Sequence, residues 1–325
     1  MKALRFVGDS AARVEEIPVP EIGPDEVLVA ARTVGVCHSD IELLEGRYII
    51  PFTYPLIPGH EWAGEIVAAG SAVTGLREHD RVVGECVIGA DHFGFSISGA
   101  AAEYFVARPE WLHPLPDSMS WTQGALVEPF SCGYHATRRA GDLDASDTVA
   151  VLGAGPIGLG VVAAAVGRRA RVIVAEPNAD RADLARRLGA EVCLDPTADG
   201  FVDDVMEHTG GRGADVVIEA SGKPSAMAAA LEIAAFRARL VNVGIDVGGS
   251  APARLGLIQS KELQVRGTIG SPGVWPQTLR FLARTGVDLS PLVTTCVPLA
   301  EADKAVELAR TDRDQVKVHI TMEQA

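Results

Sequence analysis

Four side chains in the first 130 residues are of the types that bind a transition metal. They are a cysteine, Cys37, an adjacent histidine and glutamate, His60 and Glu61, and a later glutamate, Glu128. Each alone is a weak signal, since an isolated cysteine or histidine is more often a packing or hydrogen-bonding residue. Together they offer a thiolate, an imidazole and carboxylates, which is a ligand set typical of zinc sites. Glu128 stands in an apolar stretch, where a carboxylate should be paired or metal-bound.

A glycine-rich segment later in the chain has the pattern of a phosphate-binding loop. Between the predicted strand Thr148–Leu152 and the predicted helix Ile157–Val166 lies the sequence Gly153-Ala154-Gly155-Pro156-Ile157-Gly158. Such a loop brings the unpaired N–H groups of a helix N-terminus to the pyrophosphate of a dinucleotide. We expect Gly153 to permit the tight turn, Gly155 to let the backbone approach the pyrophosphate, and Gly158 to let the helix pack on the strand.

A glutamate at the end of the next predicted strand indicates which dinucleotide binds. Glu176 follows the strand Arg171–Ala175, where a carboxylate accepts hydrogen bonds from the adenosine ribose hydroxyls and repels a 2′-phosphate. The sequence therefore favours NAD over NADP, the alternative for Glu176 being a helix-terminal charge that faces solvent. Arg181 lies about one helical turn further on, where it would flank the adenine or support some NADP binding.

These two groups of residues lie in regions of different predicted architecture. The first 130 residues contain short Val-, Ile- and Ala-rich runs separated by glycine and proline, which predict a β-rich domain. From about residue 135, strands alternate with helices of about ten residues, which predicts a parallel sheet of right-handed βαβ units. We therefore predict a β-rich domain in two parts, residues 1–133 and 268–325, with a dinucleotide-binding domain, residues 134–267, inserted between them.

Composition and charge exclude several classes of protein. The chain has 325 residues, 47% of them hydrophobic, which is too apolar for a disordered chain and enough for two cores. A net charge of −14 argues against nucleic acid as a partner, because that affinity comes from clustered Lys and Arg. Five cysteines without a C-x-x-C pair and an N-terminus without an apolar run favour the cytoplasm. The uncharged stretch Val149–Gly167 is long enough to cross a bilayer, but its glycines and proline favour a strand, turn and helix.

With these motifs the chain resembles the zinc-dependent medium-chain dehydrogenases/reductases, the family of alcohol and polyol dehydrogenases. The family's zinc signature is matched by Gly59-His60-Glu61, Gly64, Gly70 and Val73. The resemblance implies an α/β fold in which both ends of the chain form a GroES-like β-rich catalytic domain. It also implies a Rossmann domain with a doubly wound parallel sheet, one catalytic zinc per chain, NAD as the cofactor, and a homodimer or homotetramer.

The resemblance also assigns roles to the candidate metal ligands. It implies zinc held by Cys37 and His60, with Glu128 as the third ligand, a position that is glutamate in polyol, glucose and threonine dehydrogenase-like members. Glu61 is then either a direct ligand or an acid that exchanges with metal-bound water.

Three further residues receive roles from the same resemblance. Asp40 would orient His60, Ser39 would hydrogen-bond the substrate hydroxyl and start the proton path, and His38 would lie near the pyrophosphate. Glu42 stands where some relatives have a relay histidine, and is either a proton relay or a solvated helix charge.

The family's second, structural zinc is not expected in this chain. That site needs four closely spaced thiolates, whereas the segment Gly84–Ala101 contains one cysteine, Cys86.

The sequence thus predicts a zinc- and NAD-dependent dehydrogenase of small secondary alcohols or polyols. No membrane is expected as a partner. One alternative is a zinc-free quinone or enoyl reductase that uses NAD(P)H, which the metal-ligand set disfavours. The other is a non-catalytic, nucleotide-binding homologue, which the intact ligands and Ser39 disfavour.

Overall fold

The computed structural model describes residues 1–246 and 248–322, which divide into two compact units. The first unit consists of Met1–Glu128 and Trp275–Ala325, and the second of Pro129–Val274. The divisions fall a few residues from the expected boundaries at 133 and 267. The first lies inside a helix that begins at Val127, a helix that the strand-rich pattern before it did not indicate.

The elements are numbered in chain order. The strands are β1 (Lys2–Phe6), β2 (Ala12–Glu16), β3 (Val27–Val36), β4 (Glu61–Ala69), β5 (Arg81–Gly84), β6 (Val87–Ile88), β7 (Asp91–His92), β8 (Tyr104–Ala107), β9 (Leu112–Pro114), β10 (Thr148–Leu152), β11 (Arg171–Ala175), β12 (Val192–Leu194), β13 (Ala214–Glu219), β14 (Ala234–Asn242), β15 (Gln264–Gly267), β16 (Val293–Pro298) and β17 (Lys317–Thr321). The α-helices are α1 (His38–Leu44), α2 (Trp121–Ala125), α3 (Val127–Arg139), α4 (Pro156–Val166), α5 (Ala179–Arg187), α6 (Phe201–His208), α7 (Pro224–Ile233), α8 (Gly256–Ser260), α9 (Trp275–Thr285) and α10 (Ala302–Thr311).

The main sheet of the first unit contains strands from both ends of the chain. Its order is β16-β17-β3-β4-β5-β9, and β8 also pairs with β3. Strand β17 runs antiparallel to β3, which runs antiparallel to β4. The C-terminal segment is therefore an internal part of this sheet, with β16 at its edge, and the β-rich domain forms only when both segments meet.

One row of paired residues crosses this sheet and includes Glu61, one of the predicted metal ligands. The register pairs His319 of β17 with Gly35 of β3, and Gly35 with Glu61 of β4, so the three positions share one face. A Cβ atom at Gly35 would lie 2.3 Å from Oε2 of Glu61. Glycine at this position therefore gives the Glu61 side chain the space it occupies.

The second unit contains a parallel sheet with the strand order β12-β11-β10-β13-β14-β15. The order runs outwards in both directions from β10 and β13, which is the doubly wound arrangement of a Rossmann fold. The helices α4, α5, α6 and α7 connect successive strands from β10 to β14. The predicted α/β fold, which combines a β-rich GroES-like domain and a Rossmann domain, is confirmed.

The uncharged stretch Val149–Gly167 divides at its glycines, as predicted. Its first part belongs to β10, which is buried along its whole length, and its second part is α4, with Gly158 to Ala165 buried. Within residues 1–246 and 248–322, no helix has the length and apolar character that a membrane crossing requires.

His319 is an unusual member of the core of the first unit. It is fully buried, and neither ring nitrogen has a hydrogen-bond partner among the described residues. Burial, with the charge of Lys317 second, lowers the pKa of His319 to about 3. The unfolded chain binds this proton near pH 6.5, so stability is complete above that pH and falls as the pH drops towards the folded-state pKa.

We predict that the substitution His319→Met reduces the acid sensitivity of the fold. Below about pH 6, wild type should lose up to about 1.4 kcal/mol of unfolding free energy per pH unit through this histidine, and the methionine variant should not. Thermal unfolding followed from about pH 7.5 to about pH 4.5 measures the difference. His79→Asn is the control, since His79 is exposed and its φ of 72° suits asparagine. Parallel profiles for wild type and His319→Met would contradict the prediction.

Candidate metal centre and dinucleotide-binding loop

Helix α1 begins directly after the first candidate ligand. Cys37 is the N-cap of α1, and its backbone N–H donates a hydrogen bond to Oδ2 of Asp40 at 2.8 Å. Strand β3 ends at the preceding residue, Val36. The end of a buried strand and a capped helix together fix the position of the Cys37 thiol.

Three of the predicted metal ligands come together in the first unit. One ligand atom each from Cys37, His60 and Glu61 lies within 4.8 Å of the others. His60 and Glu61 are buried at the start of β4, and Cys37 is half-buried. A thiolate, an imidazole and a carboxylate at this spacing fit a single divalent ion of the zinc type.

The Asp40 carboxylate lies close to the His60 ring. His60 Nδ1 lies 3.5 Å from Asp40 Oδ1, and neither of these buried atoms has a hydrogen-bond partner in the described part of the chain. With Nδ1 directed at the carboxylate, Nε2 is the nitrogen available to a metal. Burial lowers the pKa of His60, but Asp40 and Cys37 outweigh it and raise that pKa well above its usual value. Metal binding at this ring would therefore release a proton.

The structure adds a residue that sequence analysis did not identify, Lys317 at the start of β17. Its Nζ donates a hydrogen bond to Glu61 Oε1 at 2.8 Å and lies 2.7 Å from Oε2. It also donates to the Val36 carbonyl at 3.2 Å. The side chains of Lys317 and Glu61 are 3% and 1% exposed. The sequence signal was a lysine between Val316 and Val318, where an unpaired ammonium would be too costly to bury.

The surroundings of Lys317 favour its charged form. Burial lowers the pKa of Lys317, but Glu61 and Cys37 more than compensate and raise it above its usual value. Oε1 of Glu61 is used by the lysine, whereas the buried Oε2 has no partner with hydrogen-bond geometry among the described residues. Both oxygens of Glu61 nevertheless lie within 2.8 Å of the Lys317 ammonium, which is the counter-charge of this carboxylate.

The other predicted site residues of the first unit lie on α1 and α3. On α1, His38 is exposed and Ser39 is half-buried, in the turn that also holds Asp40. Glu128 is half-buried in the first turn of α3 and is not among the three residues whose ligand atoms meet within 4.8 Å in the described ranges. Its charge nevertheless contributes to raising the pKa of Lys317 and that of Cys86, which burial mainly raises to about 12.

Aromatic side chains extend from the metal ligands. Phe95 is buried with its ring centroid 4.6 Å from that of His60, and Tyr48 stacks on Phe95 at 4.4 Å. Phe93, in contrast, packs into the core against Trp62 and Phe105. Phe95 therefore adjoins the candidate ligand His60, and Tyr48 packs on the Phe95 ring.

The glycine-rich loop of the second unit has the geometry that a pyrophosphate site requires. Gly153 has a φ of 96°, and a Cβ atom at Gly158 would lie 2.0 Å from the Gly153 carbonyl oxygen. A Cβ atom at Gly155 would meet no other atom within 4 Å. Pro156 is the first residue of α4, and the N–H groups of Ile157 and Gly158 have no partner within the helix. The open backbone face at Gly155 thus fits a dinucleotide phosphate.

Glu176 lies against this loop. Its Oε2 accepts a hydrogen bond from the Ala154 N–H at 2.7 Å, and its Oε1 accepts one from the Asn178 N–H at 2.9 Å. Each oxygen keeps a further lone pair for a ribose hydroxyl. Arg181 is half-buried in the first turn of α5, whose N-cap is Asn178. The carboxylate predicted to select the cofactor is therefore tied to the loop that would bind its phosphates.

Comparison with known proteins agrees with this geometry. Residues 23–117 match the alcohol dehydrogenase GroES-like domain, and residues 156–284 match the zinc-binding dehydrogenase domain. Sorbitol dehydrogenase of Bacillus subtilis is 32% identical over 332 aligned positions, which cover 95% of this chain and 93% of that protein. The chain belongs to the zinc-type medium-chain alcohol and polyol dehydrogenase family. The resemblance predicted from the sequence is confirmed.

Solved structures share this fold over nearly the whole length of both chains. The crystal structure of 2R,3R-butanediol dehydrogenase from Bacillus subtilis has a TM-score of 0.90 at 29% identity, covering 98% of this chain and 99% of that chain. A structure from Sinorhizobium meliloti, described as a zinc-binding dehydrogenase and bound to NADP, has a TM-score of 0.91 at 27% identity, covering 98% of both chains. As a member of this family, the protein is an oxidoreductase of alcohols or polyols.

We predict that Lys317→Met lowers the unfolding free energy by about 3–5 kcal/mol, because it leaves the buried Glu61 carboxylate without a counter-charge. The double variant Glu61→Met/Lys317→Met should recover much of this loss, since no unpaired charge remains. Urea unfolding measured with and without a metal chelator provides the comparison. Lys304→Met is the control, because Lys304 is exposed on α10 and pairs with Glu301 at the surface. Equal losses in the single and double variants would show that the pair is not coupled.

Proposed function

We propose that this protein is a zinc- and NAD-dependent dehydrogenase that oxidises secondary alcohols and polyols or reduces the corresponding ketones. The observation that carries the proposal is the group formed by Cys37, His60 and Glu61, within 4.8 Å of one another and partly or fully buried. Its chemistry is that of a catalytic metal site with protein ligands of three types. A chain without metal or without turnover has no need to keep such a group.

The substrate class is supported by similar proteins. The chain is similar to sorbitol dehydrogenases and to a Neisseria gonorrhoeae (R,R)-butanediol dehydrogenase. Both names denote substrates in which hydroxyl groups stand on adjacent carbons. We therefore propose a vicinal diol or polyol as the substrate.

Each residue of the candidate site has a proposed role in the reaction. When bound, zinc would supply a Lewis acid that makes a substrate hydroxyl easier to deprotonate, and NAD would be the hydride acceptor. Cys37 and His60 hold the metal, with Glu128 as the proposed third ligand, and Asp40 keeps His60 in the tautomer that leaves Nε2 free. Ser39, beside Cys37 on α1, hydrogen-bonds the substrate hydroxyl and passes its proton towards solvent.

The charge of the site depends on Lys317. A divalent metal with one thiolate, a neutral histidine and the carboxylates of Glu61 and Glu128 carries one net negative charge, which weakens a Lewis acid. The ammonium of Lys317 cancels that charge while it holds Glu61. In this proposal Glu61 stays beside the metal without reducing its ability to polarise the substrate oxygen.

We predict that Cys37→Ser removes the metal and the activity. Zinc should fall from about one ion per chain to below about a tenth of that after dialysis, because the strongest ligand of the group is lost. Metal analysis measures this, and NADH formation with sorbitol, (R,R)-butanediol and a cyclitol measures activity. Cys86→Ser is the matched control, since Cys86 donates to the Phe93 carbonyl and is not one of the proposed ligands. A wild-type protein without zinc, or without turnover of any alcohol, would contradict the proposal.

We predict that Glu176→Ala shifts the ratio of kcat/KM for NAD to that for NADP by about 100-fold towards NADP, since both the ribose hydrogen bonds and the repulsion of a 2′-phosphate are lost. Initial rates with each nucleotide measure the ratio. Glu176→Gln separates the two causes, because it removes the charge but keeps a side chain that can accept a hydrogen bond. If wild type already prefers NADP, the proposed use of NAD is wrong.

A further inference from the structure

A second buried carboxylate lies at the carboxyl edge of the Rossmann sheet. Glu219 is the last residue of β13 and is 1% exposed. The sheet register places it beside Leu152 of β10 on one side and Asn242 of β14 on the other. The strand order reverses between β10 and β13, and dinucleotides bind outside the carboxyl ends of the strands at such a point. Glu219 therefore lies at the base of the expected cofactor crevice.

The carboxylate organises the turn that follows its own strand. Oε1 of Glu219 accepts hydrogen bonds from the Ser221 N–H at 2.8 Å, from the Ser221 hydroxyl, and from the Gly222 N–H at 3.1 Å. Oε2 also receives the Gly222 N–H, at 3.2 Å. Because both oxygens accept donors of this turn, the turn is fixed relative to the sheet edge.

The loops after the two neighbouring strands rest on this turn. A Cβ atom at Gly153 would lie 2.9 Å from the Cβ of Ser221, so the first glycine of the phosphate-binding loop lies against it. A Cβ atom at Gly244 would lie 2.1 Å from the Gly222 nitrogen and 2.6 Å from Glu219 Oε2. The loops after β10 and β14 therefore both pack against the turn after β13, which the Glu219 carboxylate holds.

We propose that Glu219 is a positioning residue for the nicotinamide cofactor. It holds the Ser221–Gly222 turn against Gly153, and thereby fixes the backbone of the loop that receives the pyrophosphate. A glutamine could keep Oε1 for the three donors, but its amide nitrogen would replace Oε2, which lies 3.2 Å from the Gly222 nitrogen, and one N–H donor would then face another. The inference rests on the proposed function, since it presupposes that the second unit binds a dinucleotide.

Glu219→Gln tests this role in the zinc-loaded, full-length protein. We expect NADH, titrated by its fluorescence, to bind about tenfold more weakly, while kcat at saturating NAD stays within about twofold, because the loop is displaced but the reacting groups are intact. Zinc content should be unchanged. Ser221→Ala, which removes the hydroxyl that donates to Glu219 and accepts from the Lys223 N–H, should weaken NADH binding by about threefold and decides the question if the glutamine variant does not fold.

Asp147→Asn is the matched control. Asp147 precedes β10 at the opposite edge of the same sheet, is largely buried, and pairs with Arg239. It should lower the melting temperature without changing NADH affinity. If Glu219→Gln lowers the melting temperature but binds NADH as wild type does, the carboxylate is only structural and the inference is overturned. If wild type binds neither NADH nor NADPH, it is the proposed function that fails, and the inference falls with it.

Discussion

The buried ion pair between Glu61 and Lys317 is the interaction on which the first unit and its metal site depend. It joins β4 to β17 across 256 residues of sequence, so it forms only when both ends of the chain share one sheet. Moving two charges out of water costs several kcal/mol per ion, and only close mutual contact offsets that cost. The pair is therefore stable only when β4 and β17 belong to one sheet. There Lys317 also donates a hydrogen bond to the carbonyl of Val36, the residue before Cys37. The contact that joins the two ends of the chain therefore also positions the Glu61 carboxylate and the backbone next to Cys37.

This pair also changes the expected electrostatics of the metal site. From the ligand types alone, the carboxylates of Glu61 and Glu128 beside one divalent metal and one thiolate would leave an excess negative charge, which argues against both binding at once. A buried ammonium in contact with Glu61 removes the objection, because the charge is compensated before any metal binds. Asp40 has a different effect on His60. It raises the pKa of the ring, to which a metal would bind in place of the proton. The residues around the ligands thus set their charge as well as their orientation.

Sequence analysis could predict what is encoded locally and could not predict what sheet register creates. The glycine loop, β10, α4, Cys37 and His60 carry short-range patterns, and the structure has the strand, turn and helix where the pattern placed them. Helix α1 was not predicted, because its N-cap is a cysteine rather than one of the usual capping residues. Lys317 and Glu219 acquire their partners from strands and loops distant in sequence, and no spacing rule connects a lysine near the C-terminus to a glutamate near residue 60.

Glu61 and Glu219 are both buried carboxylates, one at the proposed metal site and the other at the proposed dinucleotide site. Each occupies space left by a glycine: a Cβ atom at Gly35 would lie 2.3 Å from Glu61 Oε2, and one at Gly244 would lie 2.6 Å from Glu219 Oε2. Their compensation differs, since Glu61 faces an ammonium and Glu219 faces N–H and O–H donors. A lysine paired with Glu219 would also be attracted to the pyrophosphate and could leave the carboxylate. Backbone donors stabilise the carboxylate without adding a mobile cation. Beside a divalent metal the requirement is reversed, because only a full positive charge offsets an additional carboxylate.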